Sequence, residues 1–125
     1  VKRMSRQHGG RGGVIVNISS SAVRQGSPAM YVDYAASKGA IDVFTSGLSK
    51  EVAGEGVRVC GVRPGITDTG IHATGGEPDR VARLGPTLPM GRAAHPEEVA
   101  QAIIWLLSDK ASYTAGAMLD VTGGR

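Results

Sequence analysis

The sequence predicts an α/β fold built on a short parallel sheet, and three observations carry that prediction. Two runs rich in β-branched residues, 14–18 (Val-Ile-Val-Asn-Ile) and 57–62 (Val-Arg-Val-Cys-Gly-Val), read as near-continuous apolar strands of the kind covered on both faces. A long stretch of helical periodicity separates them, which is the connection that two parallel strands require. Candidate reactive groups fall just after both strands, Ser20 after the first and Pro64 to Thr69 after the second, where open α/β sheets bind their ligands.

Gly12 and Gly13 introduce the first strand, and 19–28 reads as loop. The helix is expected over 29–52, with Ala40, Ile41, Phe44, Leu48 and Val52 on its apolar side. Ala36, Val43 and Gly47 lie on another side and leave room for a second surface, while Asp33 and Asp42 belong to the solvated face, Asp33 near the mouth of any site at Tyr34. Gly54 and Gly56 end the helix, and Pro64-Gly65 stops the second strand. Residues 66–95 are rich in glycine and proline and read as a long loop holding one or two short helices, one of them over 79–84. A further helix is expected over 96–107. Pro96 suits its first position, Glu97 and Glu98 complement the positive end of its dipole, and Val99, Ile103 and Leu106 form its apolar stripe. His95 is a mediocre cap for it. Residues 118–121 make a third strand, closed by Gly123-Gly124, and 1–125 reads as part of one domain.

Composition narrows the function classes. With 41% apolar and 20% charged residues, the 125-residue chain is composed like a globular domain and not like a disordered one. Lys2, Arg3, Arg6, His8 and Arg11 form a basic run, but no aromatic platform or groove-reading helix accompanies it, so no nucleic-acid partner is expected. The apolar runs are too short to span a membrane, and no membrane partner is expected either. The single cysteine, Cys60, sits inside the second strand and reads as a small buried hydrophobe in a reduced, cytoplasmic setting. His72 has no suitably spaced partner among His8 and His95, so it reads as a pocket residue and no metal is expected.

Tyr34 and Lys38 stand four apart on the long helix, one above the other and about 6 Å apart along its axis. Small neighbours, Ala35, Ala36, Ser37 and Gly39, leave space for a ligand beside them. The pairing has a chemical use. Reducing a carbonyl with hydride requires a proton for the resulting alkoxide, and oxidising an alcohol requires the reverse. A phenol ordinarily titrates near ~10, and a neighbouring ammonium favours its ionised form, so one hydroxyl can serve in both directions. Ser20, fourteen residues before Tyr34, is placed to hydrogen-bond the substrate oxygen. Ser19 and Ser21 are its local rivals, and the serine run is equally readable as a hydrogen-bonded turn.

Taken together, Asn17-Ile18-Ser19-Ser20, Tyr34-Ala35-Ala36-Ser37-Lys38-Gly39, Val57-Arg58-Val59, Pro64-Gly65-Ile66-Thr67-Asp68-Thr69 and Leu119-Asp120-Val121-Thr122-Gly123-Gly124 resemble the classical short-chain dehydrogenase/reductase family, in its order and over nearly the whole chain. The resemblance implies a partial Rossmann-like parallel sheet, the last three strands of a seven-stranded doubly wound domain, with 66–95 covering the substrate. It implies NAD or NADP as cofactor and an alcohol or carbonyl as small-molecule substrate. Tyr34 would be the general acid/base, Lys38 would also hold the nicotinamide ribose, and Ser20 would orient the substrate. Pro64, Gly65, Ile66, Thr67 and Thr69 would lie along the cofactor, with Ile66 at the carboxamide and Thr69 near the pyrophosphate. A homodimer or homotetramer is implied, using the long helix and the last helix with its strand.

Departures accompany the match. Cys60 stands where family members usually carry Asn, so apolar filling is expected in place of a polar contact. The serine-to-tyrosine gap is one longer than the commonest thirteen, and aligning Ser21 would restore it; Ser20 is preferred because it directly follows Asn-Ile-Ser. The glycine-rich first turn and the family's helix asparagine are not among these residues. The leading reading is therefore an oxidoreductase for the full-length protein, with inactivity expected for the 125 residues alone. A lyase or epimerase of the broader family is the alternative, and a non-catalytic assembly piece is the third.

Overall fold

The computed structural model describes all 125 residues. Three strands form one parallel sheet in the order β1-β2-β3: β1 (Gly13–Ile18), β2 (Val57–Pro64) and β3 (Met118–Val121). Between β1 and β2 run α1 (Ala22–Gln25) and α2 (Val32–Val52); between β2 and β3 come α3 (Ile71–Thr74), α4 (Arg80–Leu84) and α5 (Pro96–Leu107).

The alternation of β2 builds the core. Val57 and Val59 pack with Val52 of α2, supported by Leu48 and Ile15, whereas Cys60 and Val62 pack with Leu106 of α5, supported by Ala102, Ile103 and Val16. Successive side chains point to opposite faces, so α2 covers one face and α5 the other. β2 is the covered strand that the sequence predicts. β1 is only half-buried along its middle, and Ile18 at its end is 44% exposed. β1 pairs with β2 alone, so its other edge carries no strand.

Several expectations shift. The long helix begins at Val32, three residues later than predicted, because Ser27 and Ala29 take positive φ values of 45° and 60° that no helix admits. Part of the expected loop 19–28 coils into α1. β2 continues through Pro64, which pairs with Val121 and whose carbonyl accepts the Ser21 N–H at 3.0 Å. The packed face of α2 is also rotated. Ala35, Thr45, Ser49 and Val52 are buried, whereas Ala40 is exposed and Phe44 is 58% exposed. Thr45 tolerates burial because its hydroxyl donates to the Ile41 carbonyl (2.7 Å) and accepts from the Asn17 amide (2.9 Å). Asp42 is not solvated: its side chain is 11% exposed and pairs with Arg63 Nε at 2.8 Å. α5 and β3 have the expected bounds. His95 is helped as a cap by Glu98, whose carboxylate accepts the His95 N–H at 2.8 Å. Cys60 is fully buried as expected, with its Sγ 3.2 Å from the Thr114 carbonyl, where a thiol makes a weak donor.

Candidate active site

A cavity of about 570 Å³ opens where the C-terminal ends of β1 and β2 meet the start of α2. Ser20, Tyr34, Lys38, Pro64, Gly65, Ile66, Thr67 and Thr69 all line it, although they come from three separate stretches of chain. The folding of each stretch explains its place. Ser19 is buried, its N–H held by the Val62 carbonyl (2.8 Å) and its hydroxyl donating to the Lys38 carbonyl (3.2 Å), so the chain leaving β1 is pinned against α2. Ser20 follows at the cavity wall and its Oγ accepts the Ala22 N–H at 3.1 Å, starting α1. That bond uses an acceptor lone pair and leaves the hydroxyl proton free to donate. Ser21 is buried and also lines the cavity.

Tyr34 lies in the first turn of α2 and is 39% exposed. One turn on, Lys38 Nζ donates to the Ile18 carbonyl at the end of β1 (2.9 Å) and stands 5.8 Å from the centroid of the Tyr34 ring. The ammonium is thus fixed by the sheet and faces the ring, with two of its three donors unused by the protein.

The chain after β2 is built for close approach. A Cβ on Gly65 would lie 2.9 Å from Thr122 Cα, so only glycine lets this segment pass beneath the turn that follows β3. The Gly65 N–H is taken by the Val121 carbonyl (2.8 Å), and Thr67 Oγ1 donates to the Gly65 carbonyl (3.3 Å). Residues 66–95 are closed at their base, where Ala94 N–H donates to Ile66 O and Asp68 N–H to Ala94 O, both at 2.9 Å.

His72 lines the cavity as the sequence suggests, with its Nε2 2.8 Å from the Thr67 carbonyl, and Ile71 lines it beside His72. Leu88 and Met90 line a separate small cavity, and Leu84, Arg83 and Asp33 line neither. Tyr31, Glu77 and Arg80 line the main cavity although the sequence did not single them out. Glu77 and Arg80 stand three apart, a common spacing for a charged pair, and Tyr31 meets them only after folding; the nearest signal for Tyr31 was that it stands three residues before Tyr34. No cluster of three or more side chains is arranged to hold a metal ion. No helix is long and apolar enough to cross a membrane.

Comparison with known proteins agrees with this fold. Residues 1–125 match a family described as Enoyl-(Acyl carrier protein) reductase. The chain is 62% identical over 125 residues to the uncharacterized oxidoreductase YgfF of Escherichia coli (strain K12), covering all of this chain and 51% of that protein. It is 43% identical over 127 residues to a glucose and ribitol dehydrogenase homolog of Oryza sativa subsp. japonica, covering 99% of this chain and 42% of that one. Among solved structures, a 3-ketoacyl-(acyl-carrier-protein) reductase from Brucella melitensis complexed with NADH superposes with a TM-score of 0.80 at 32% identity, over 90% of this chain and 43% of that one. A blue fluorescent protein from a metagenomic library, in complex with NADPH, gives 0.79 at 30% identity, over 90% and 44%. The chain therefore spans about half or less of the length of these relatives.

Proposed function

Because the chain belongs to the short-chain dehydrogenase/reductase family, we propose that the full-length protein containing it is an oxidoreductase that moves a hydride between NAD or NADP and an alcohol or carbonyl substrate, with Tyr34 as general acid/base. The observation that carries this reading is the convergence of Ser20, Tyr34, Lys38 and 64–69 on one cavity at the C-terminal ends of the strands.

The residues present suit a nicotinamide dinucleotide. The close passage at Gly65 holds the 64–69 segment against Thr122, and Thr67 and Thr69 line the cavity. Pro64, Gly65, Ile66, Thr67 and Thr69 would hold the nicotinamide end, and the two unused donors of Lys38 would hold ribose hydroxyls. The cofactor, when bound, supplies or accepts the hydride. Ser20 donates its free hydroxyl proton in a hydrogen bond to the substrate oxygen and fixes its orientation. Tyr34 gives its hydroxyl proton to that oxygen in reduction and takes one from it in oxidation. The Lys38 amine faces the Tyr34 ring, 5.8 Å from its centroid. The buried free thiol of Cys60 fits a reducing, cytoplasmic setting.

The test is a screen of the full-length protein against alcohols and ketones, followed through nicotinamide absorbance. Tyr34→Phe is expected to cut turnover by about 10²–10⁴ while leaving the fold intact. Near-normal turnover in that variant would reject the mechanism. The reading includes self-association, since Val43 (75% exposed), Phe44, Ile104 and Trp105 present apolar surface on α2 and α5. Light scattering should give a dimeric or tetrameric mass, and a monomer at micromolar concentration would refute this part.

A further inference from the structure

Arg80 opens α4 and lines the same cavity as Tyr34, yet its side chain is only 16% exposed. Two neighbours hold it. Its Nη1 donates to Glu77 Oε2 at 2.8 Å, and its guanidinium carbon lies 5.5 Å from the centroid of the Tyr31 ring. Tyr31 is itself fixed, with its hydroxyl donating to the Gly75 carbonyl at 3.3 Å and its backbone opening α2 just before Tyr34. The guanidinium is thereby oriented, but only one of its side-chain N–H groups finds an acceptor within the protein. Glu77 also lines the cavity. Its Oε2 takes Arg80 and Arg83, whereas its Oε1 accepts nothing from the chain.

Two residues of the cavity lining therefore carry N–H donors and a carboxylate oxygen that the chain leaves unused. We infer that the substrate carries hydroxyl groups beyond the reacting carbon, as a polyol or sugar does, and that Arg80 and Glu77 select it; this rests on the oxidoreductase reading above. A hydroxyl both accepts and donates, so one can take a guanidinium N–H while it or its neighbour donates to Glu77. An acyl chain laid on the same wall would strip water from an ion pair and return no hydrogen bond, which is costly. An anionic group drawn to Arg80 would meet the Glu77 carboxylate beside it. A neutral, hydroxyl-rich substrate satisfies both partners.

The experiment compares ribitol, glucose, cyclohexanol and an acetoacetyl thioester as substrates of the full-length protein, with NAD(H) and NADP(H), in the natural protein and in Arg80→Met and Arg80→Lys. The expected result is a higher kcat/KM for ribitol or glucose than for cyclohexanol or the thioester. Arg80→Met should lower the ratio of ribitol to cyclohexanol kcat/KM about ten- to hundred-fold, mainly through KM, as expected when hydrogen bonds to a charged group are lost. Arg80→Lys, which keeps the charge but not the fork, should fall between. Preference for the thioester or cyclohexanol, or an equal fall for all substrates in Arg80→Met, would overturn the assignment while leaving the oxidoreductase reading standing. Absence of turnover with every substrate and both cofactors would overturn both.

Discussion

β2 and the segment that follows it are continuous in sequence and are held in unlike ways. β2 buries Val57, Val59, Cys60, Gly61 and Val62 between α2 and α5. Residues 66–95 bury only Gly85 and Leu88 and rely on the backbone pairing of Ile66 and Asp68 with Ala94 and on charged contacts such as Glu77 with Arg80 and Arg83. The proposed chemistry of Ser20, Tyr34 and Lys38 belongs to the packed region, where Ser19 and Lys38 are locked between β1 and α2. The groups proposed to choose the substrate belong to the lightly packed one. Such a division lets the covering segment change without disturbing the reactive geometry, because a rigid scaffold positions what a surface loop surrounds.

The most severe way to break this comparison is to remove the rest of the domain. A polypeptide of these 125 residues alone is expected to show no nicotinamide-dependent turnover and no micromolar binding of NADH or NADPH. Its glycines at 9, 10 and 12 precede β1 and Gly13 opens it, so none joins a strand to a helix to form the turn that meets a pyrophosphate. The open edge of β1 should also promote association. Calorimetric titration decides the matter: stoichiometric micromolar binding with substrate-dependent oxidation would show that the packed region and its loop suffice.

A gentler pair of substitutions in the full-length protein separates the two regions directly. Leu106 is fully buried in the cluster beneath β2, and Leu106→Ala should cost about 2–5 kcal/mol in denaturant unfolding. Ile71 is 63% exposed at the cavity wall, and Ile71→Ala should stay within about 0.5 kcal/mol. Similar losses for both would mean that the covering segment is as firmly packed as the sheet.

The same division sets how much was legible in the sequence. α5 and β3 were readable to their bounds because their signals are local: Pro96 and two glutamates at one helix start, a short apolar run closed by glycines. Tyr34, Lys38 and Ser20 could be singled out because helical spacing and strand ends are sequence properties. The start of α2 was missed because positive φ at Ser27 and Ala29 has no glycine to announce it. Its packed face was misjudged at Phe44 and Thr45 because the bonds that make Thr45 buriable reach across to Asn17. Tyr31 escaped notice for the same reason, since its contacts with Gly75 and Arg80 exist only once 66–95 folds back over α2, whereas the Glu77–Arg80 pair is local and reads in sequence as an ordinary charged i,i+3 pair.

The joint between the two regions provides the smallest and most specific effect. Arg92, near the end of the covering segment, grips Glu98 at the start of α5 with two hydrogen bonds of 2.7 Å, and Glu98 also accepts the His95 N–H. The Arg92 hydrogen bond, aided by the His95 N–H, pushes the Glu98 carboxyl from its ordinary 4.5 down to about 2. A carboxyl whose pKa falls on folding contributes stability that is fully present above its unfolded value and disappears as pH drops through the folded one. The contribution should therefore be constant above about pH 5 and fade between about 4.5 and 2. Because both side chains are well exposed, it should be small and screened by salt. Glu98→Gln keeps an acceptor for the His95 N–H and removes the charge. In the full-length protein the variant should melt slightly below the natural protein at neutral pH, by about a degree or two. That difference should shrink towards zero as the pH approaches 2. A difference that stays constant across the acid range would show that the lost hydrogen-bond geometry, and not the charge, joins the covering segment to the packed helix.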